Sequence, residues 1–328
     1  MDTLDTLNEF IAAKTEGQNE STTKAYENFY RRMATLLPEN KTPAEYTHSD
    51  FLNILQNMNA ASTGTFTVAK SSISDWVQWM IERGEMTKEQ LDILAKIQYS
   101  DLDYSDTYRM YYFRNFDELW ESLDLNIGLH LAGKSDDDEE FDTLRCAVYL
   151  SWYGFTLDDI VEILKTDISN TDCVIYRKRG DVSVRIGEKA IACIRDYAEK
   201  ESFRSRKFGK PDGVEVHYRN SAYLFRSCKS AKMNPNQITA MTRYTNPYSD
   251  EVGKRFAFNK IYLSGVYYRI YLDEKEYGNL KSTDFERLAR LFEIPREELN
   301  IKAKKYDLSS RKFQQYQKYK EAFYPESD

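Results

Sequence analysis

Apolar positions recur at helical spacing along most of this chain, and the pattern changes character only near the middle. Leu4 to Ala13 forms a short amphipathic segment. Ser21-Thr22-Thr23 is placed to cap a helix running through Tyr26, Phe29, Tyr30 and Met33 to Leu37, where Pro38 stops it. Thr47-His48-Ser49 opens another through Phe51, Ile54, Leu55 and Met58. After a turn at Thr63-Gly64-Thr65, a long helix is predicted from Phe66 to Arg83, with Ile73, Trp76, Val77 and Met80 inward, and Gly84 ends it. Thr87 then opens a last helix through Leu91 and Leu94. Residues 99–112 carry many turn formers and no hydrophobic period, which predicts a linker. The expected organisation is a helical domain at 1–98, a linker at 99–112 and a second domain at 113–328.

In the second domain, Phe116 to Leu129 is amphipathic, with Leu119, Trp120 and Leu123 inward, and Gly133 to Glu140 reads as an acidic loop. The organising stretch is Phe141 to Asn170. Leu144, Val148, Leu150 and Trp152 mark a helix that stops at Gly154, and Asp158-Asp159 opens a second with Ile160, Ile163 and Leu164 on its apolar face. The period then drops to two. Asp172 to Tyr176 and Val182 to Ile186 alternate as strands, joined by Arg177-Lys178-Arg179-Gly180-Asp181 with Gly-Asp as the turn signal. Helical spacing resumes from Glu188 through Ala190, Ile191 and Ile194, in a short segment at Asn236 to Arg243, and at Phe313, Tyr316, Lys320 and Phe323. The predicted fold class is mainly α with a small antiparallel β-sheet (α+β), in two domains.

A chain of 328 residues with this apolar content has room for two real cores. No apolar run is long enough to span a bilayer, and the acidic start Met1 to Asp5 lacks signal-peptide character, so a cytoplasmic protein without a membrane partner is expected. Cys146, Cys173, Cys193 and Cys228 contain no CxxC pair and read as buried reduced thiols. His48, His130 and His217 show no metal-ligand spacing; no metal or other cofactor is expected. The net charge of −7 argues against nucleic acid on its face. The charge is segregated, however: acid concentrates at Asp136 to Glu140, and base at Arg177 to Arg179, Arg204 to Lys207, Lys254-Arg255 and Lys302 to Lys305.

The run Trp152-Tyr153-Gly154-Phe155-Thr156, followed by Leu157-Asp158-Asp159-Ile160, resembles the catalytic domain of the tyrosine recombinases, the phage integrase family. In that family an apolar helix ends in Tyr-Thr-Gly-Leu-Arg. The resemblance aligns the family's first catalytic arginine with Thr156, whose hydroxyl cannot replace a bidentate guanidinium fork. The family's hairpin lysine corresponds to Lys178. Its His-x-x-Arg motif falls on the Leu263 to Ile270 segment, which puts Ser264 or Gly265 at the histidine and Tyr267 or Tyr268 at the arginine, with Arg269 one or two residues away. Its third motif resembles Asp307 to Tyr316, with Leu308 at the histidine and Tyr316 at the nucleophile. The N-terminal layout, with Ser21 to Tyr26 opening its first major helix, resembles the family's core-binding domain.

The resemblance implies a recombinase architecture whose catalytic set is degenerate, because groups that act as a unit fail as a unit. Lost chemistry leaves the other competence of such a fold, which is clamping duplex DNA. The implied phosphate and base contacts are Lys24, Arg31, Lys70 and Ser71 in the first domain. In the second they are Lys178, Arg179, Arg204, Arg206, Lys229, Arg243, Lys254, Arg255 and Arg269. The implied function is a sequence-specific repressor, not an enzyme, that maintains prophage lysogeny. Its implied partners are double-stranded phage operator elements and a regulatory phage protein, at the nucleoid of a bacterial host. Two other readings compete. One is a divergent active recombinase using Lys178, Arg269 and Tyr316 or Tyr319. The other is a helical scaffold or anti-repressor that binds protein, favoured by the net negative charge.

Overall fold

A computed structural model describes residues 3–58, 63–103, 105–132, 141–205, 214–281, 284–291 and 308–325. The chain divides into two compact units, Met1–Thr107 and Tyr108–Asp328. Its elements are helices with two small antiparallel sheets, the fold class that the hydrophobic pattern predicts.

The first unit contains α1 (Thr3–Thr15), α2 (Glu20–Ala34), α3 (His48–Asn57), α4 (Thr63–Glu82) and α5 (Lys88–Lys96). Their apolar stripes meet in a core of Phe10, Tyr30, Phe51, Ile54, Trp76 and Leu94, all buried. The cap of α2 is not the Ser-Thr-Thr run but Asn19, whose side chain accepts from the Thr22 amide at 2.9 Å. Thr47 and Thr87 cap α3 and α5 as expected, each in a reciprocal box with the residue three positions on. The predicted linker is structured: a 3₁₀ turn occupies Tyr99–Asp101 and α6 occupies Ser105–Tyr111. Tyr108 and Tyr112 are buried and stack at 4.7 Å between ring centroids. Tyrosines that look like turn-flanking polar residues in the sequence are here core aromatics.

The second unit is built around α8 (Asp142–Trp152). Every residue of this helix except Asp142 and Arg145 is buried. A helix apolar on all sides needs neighbours on all sides. Those neighbours include α7 (Phe116–Ala132), α9 (Leu157–Glu162), α10 (Glu188–Glu199), α11 (Pro235–Thr239) and α13 (Phe258–Tyr277). The short α12 spans Ser249–Val252. Burying each Leu, Ile, Val or Phe of this core contributes about 1.5–3 kcal/mol. α13 crosses α8 at close range: a Cβ added at Gly265 would lie 1.8 Å from the Trp152 carbonyl oxygen. Only glycine allows that crossing.

The expected hairpin is present as β1 (Val174–Arg177) and β2 (Val182–Arg185), in register Val174↔Arg185 to Arg177↔Val182. Gly180 and Asp181 take positive φ at its tip, at 83° and 50°. A second hairpin, β3 (Ser202–Ser205) with β4 (Val214–His217), was not predicted. Its alternating letters, Ser-Phe-Arg-Ser and Val-Glu-Val-His, are too short to stand out from a basic surface run. The predicted acidic loop 133–140 lies outside the described residues. Of the four free cysteines only Cys146 is buried, and Cys228 is exposed, which corrects the expectation of uniformly buried thiols.

After α14 (Phe285–Leu291), the last helix α15 (Leu308–Phe323) docks on its own chain. Tyr267 of α13 lies against Tyr316 and Tyr319, with centroids 6.0 and 5.3 Å away. Tyr319 Oη donates to the carbonyls of Phe113 and Arg114, both at 2.9 Å. Tyr324 stacks on Tyr271 at 3.7 Å.

Candidate nucleic-acid interface

The chemistry-bearing residues of the second unit gather where α8 ends. Gly154, at φ +94°, turns the chain, and the Phe155 amide reaches back to the Leu150 carbonyl at 3.1 Å. That closes α8 as glycine C-termini commonly do. The outward carbonyls of a helix C-terminus carry partial negative charge. Three arginines answer it. Arg177 Nη1 donates to Gly154 O at 2.6 Å, Arg179 Nη2 to the same oxygen at 3.2 Å, and Arg269 Nη1 to Trp152 O at 2.9 Å. A Cβ at position 154 would lie 3.3 Å from Arg269 Nη2 and 3.6 Å from Arg177 Nη1, so the guanidinium groups crowd one turn.

Two come from the hairpin and one from α13, elements far apart in sequence. Arg177 is 6 % exposed, half-enclosed by the Phe155 ring at 5.8 Å. Arg179 also pairs with Asp159, Nε to Oδ2 at 2.9 Å. Lys178 stands exposed at the tip between them. Beneath the tip is a cleft of about 200 Å³, lined by Asp158, Asp159, Glu162 and Asp167 as well as by the three basic residues of the tip. The arginine turn is therefore basic on its rim and acidic behind.

Thr156 sits inside this arrangement as a helix cap. Its Oγ1 accepts from the Asp159 amide at 3.3 Å, and Asp159 Oδ2 takes both the Thr156 amide and hydroxyl at 2.8 Å. The side chain at the first-arginine position is thus committed to starting α9. At the second, Tyr267 is fully buried and donates to Gln315 Oε1 at 3.2 Å, and Tyr268 packs on Trp152 at 5.7 Å. Ser264 Oγ accepts from the Phe113 amide at 3.0 Å.

Tyr316 is distant in character from a nucleophile. It is fully buried, and its Oη donates to Glu274 Oε2 at 2.7 Å. Lys320 Nζ holds the same oxygen at 3.0 Å, and Leu280 N donates to Oε1 at 2.8 Å. Burial first, and the adjacent Glu274 carboxylate second, push the Tyr316 phenol far above its ordinary value. Burial does the same to Tyr319. Both rings are held as neutral phenols.

The remaining candidates scatter. Arg31, Ser71, Arg204, Lys229, Arg243 and Arg255 are exposed. Arg243 stacks over Tyr244 at 4.8 Å, and Arg255 reaches Tyr111 Oη at 3.5 Å. Lys24 is exposed and pairs with Glu20 one turn away at 2.6 Å. Two lysines are tied to backbone carbonyls. Lys70 donates to the carbonyls of Ala95 and Ile97, both at 2.7 Å, and so ties α4 to the end of α5. Lys254 is buried, bound to Tyr112 O at 2.8 Å and Glu118 at 3.1 Å. Burial there lowers the lysine's affinity for its proton, and Glu118 opposes the shift. Arg206 and the side chain of Leu308 lie outside the described residues. Arg177 and Asp159 belong to the arginine turn although sequence reading singled out neither as a contact. Only the fold shows that Arg177 turns inward while Lys178 turns outward. Among the described residues no group of His, Cys, Asp and Glu could hold a metal ion, and no helix is long and apolar enough to cross a membrane.

No family model and no curated protein matches the chain. Among solved structures it is similar to a lambda integrase (75–356) dimer bound to a COC′ core site, at 13 % identity over 90 % of this chain and 93 % of that one, with a TM-score of 0.32. It is similar to XerA recombinase at 14 % identity over 90 % and 100 %, with a TM-score of 0.33. It is also similar to the Tn1549 transposon integrase (82–397) in complex with circular intermediate DNA, at 13 % identity over 93 % of each chain, with a TM-score of 0.35. At such scores no residue of this chain is put in correspondence with theirs, and the site rests on its own geometry.

Proposed function

We propose that this chain is a duplex-DNA-binding transcriptional repressor built on an integrase-like scaffold that does not cut DNA. The observation that carries the reading is the split fate of the groups a recombinase would use. The basic ones collect at one hairpin and turn, with Lys178 exposed at the tip, while the candidate nucleophile Tyr316 is locked behind Glu274. A phosphoryl-transfer site needs guanidinium donors and an ionisable nucleophile aimed at one phosphorus atom. Here Thr156 caps a helix, Tyr267 fills a core, and Tyr316 faces a carboxylate.

The chain's length and its departures from the recombinase motifs resemble the integrase-like master repressor of SPβ-type Bacillus prophages. That likeness implies repeated operator elements in phage DNA as the target, maintenance of lysogeny as the role and a regulatory phage protein as a second partner. Lys178, exposed at the hairpin tip, is the contact best presented to a phosphate backbone, with Arg179 beside it held by Asp159 and the Gly154 carbonyl.

The test is a gel shift against fragments of a parent prophage genome at two salt concentrations, with the same samples then run under denaturing conditions. A sequence-selective shift that weakens with salt and disappears on denaturation is the expected result. A shift surviving denaturation would mean a phosphotyrosine link and an active recombinase. No shift at low salt would overturn DNA binding in favour of a protein-binding scaffold.

A further inference from the structure

The opposite end of α8 from the arginine turn borders a half-open cleft of about 170 Å³. Its walls are aromatic: Phe141, Phe203, Tyr218 and Tyr244, with the adaptable thioethers of Met233 and Met241. A benzene-sized molecule fits an apolar space of about 150 Å³. Set into this wall is one charge. Arg226 is 2 % exposed, with its guanidinium over the Tyr218 ring at 4.9 Å and the Tyr197 ring at 5.5 Å.

The partners of Arg226 are all neutral. Nη1 donates to Leu224 O at 2.9 Å, and Nη2 donates to Ala198 O at 3.4 Å and to Lys200 O. Among the described residues no carboxylate pairs with it. Asp142, at the start of α8, pairs with Arg145 and Lys200. Of the five N–H donors of a guanidinium, Nε–H and one on Nη1 make no hydrogen bond among the described residues. The carbonyls of Ala198 and Lys200 belong to the C-terminal end of α10 and hold the guanidinium as the carbonyls at the end of α8 hold theirs. The cleft wall still carries a full positive charge with no full negative charge paired to it among the described residues.

The geometry points to a binding site for a small, flat aromatic carboxylate. The ring lies between the aromatic walls, and one carboxylate oxygen accepts from the remaining Nε–H of Arg226; the spare Nη1 hydrogen points to another edge of the guanidinium and takes no part. The guanidinium is already fixed by three carbonyls, so binding requires little further ordering of the side chain. The site is separate from the arginine turn, and its failure would leave the DNA-binding reading untouched.

Cys228 lines the cleft and is the exposed cysteine of the four. That gives a readout on the unmodified protein: the rate of Cys228 alkylation by N-ethylmaleimide, followed by peptide mass, in the presence of benzoate or of its neutral isostere benzamide. Benzoate is expected to slow alkylation several-fold at concentrations about tenfold below those benzamide needs. Backbone amide shifts are expected at Ser227 and Cys228 in the same titration. Met241→Trp, which fills the cleft, should abolish the protection. If that variant fails to fold, the contrast between benzoate and benzamide on the native chain still decides. Equal protection by the two, or none from either at millimolar concentration, would overturn the proposal.

Discussion

The turn after α8 and the seam under α15 are the two places where the sequence offers recombinase-type groups, and they treat those groups oppositely. At the turn, three guanidinium groups are drawn to a helix C-terminus and stay charged on backbone carbonyls. Under α15, tyrosine hydroxyls are drawn into the core and stay neutral on carbonyls and a carboxylate. Arginine can sit at an interface because a guanidinium is satisfied by neutral acceptors and remains a cation. A phenol buried against Glu274 cannot ionise without placing two anions side by side. The first region can still meet a phosphate backbone, whereas the second has become packing. The two regions differ in where side chains are held as well as in which letters remain.

The largest expected effect tests the burial of phenols across the second unit, in the seam and beyond it. Tyr112, Tyr149, Tyr197, Tyr316 and Tyr319 are all buried and all have raised values, with burial the leading cause for each. In the unfolded chain each ionises near 10. The folded chain therefore holds more protons above that pH, and stability that is complete below pH 10 falls as pH rises. Each phenol contributes a slope of about 1.4 kcal/mol per pH unit. Urea midpoints measured at pH 9 and pH 11 check this. Equal midpoints would mean that the phenols are open to solvent. Next in size is Gly265→Ala, which places a methyl 1.8 Å from Trp152 O and 2.8 Å from its carbonyl carbon. Backbone cannot yield as a side chain does, so the cost exceeds the roughly 1–3 kcal/mol of ordinary overpacking. Thermal unfolding should show the second unit destabilised, and a wild-type Tm would refute the close crossing.

Tyr316→Phe is milder. It removes one hydrogen bond to a buried carboxylate and leaves the Lys320 and Leu280 bonds in place. A loss of about 1.5–3 kcal/mol in chemical denaturation is expected, with DNA affinity unchanged. Loss of DNA binding without loss of stability would return Tyr316 to a functional role. Thr156→Ala removes the cap of α9 and should cost about 1 kcal/mol.

These residues also mark how far the sequence could be read. The helical frame, the first hairpin and the stop at Gly154 follow from period, caps and turn letters, because those signals are local. The cap at Thr156 is a local signal of the same kind, with Asp159 three positions later completing the box, but the sequence pattern opens this helix on Asp158-Asp159 and leaves Thr156 at the first-arginine position. The arginine turn is not legible. Arg177 and Arg269 are 92 residues apart, and neither position predicts that both point at the α8 terminus. Lys254 shows the converse. It reads as surface charge beside Arg255, yet Glu118 and the Tyr112 carbonyl, more than 130 residues away, enclose it. The fate of a charge is decided by distant partners, and one sequence holds no record of them.

Lys178 is where the smallest structural effect should accompany a clear functional one. It is exposed at the hairpin tip, flanked by Arg177, which is buried, and Arg179, which is paired with Asp159. Removing an exposed charge away from caps and cores changes stability by no more than about 0.5 kcal/mol. A lysine that contacts one phosphate contributes about 0.9 to the slope of log affinity against log salt. Lys178→Ala should therefore leave the Tm in place, weaken binding to all DNA sequences alike and flatten the salt dependence by about one. Lys178→Arg should restore the slope. Arg177→Ala offers the contrast from the same hairpin: it strips a buried donor from Gly154 O, so stability and binding should fall together. If Lys178→Ala left the salt slope unchanged, the hairpin tip would not face DNA. The three arginines beside it would then be caps for α8 and nothing more.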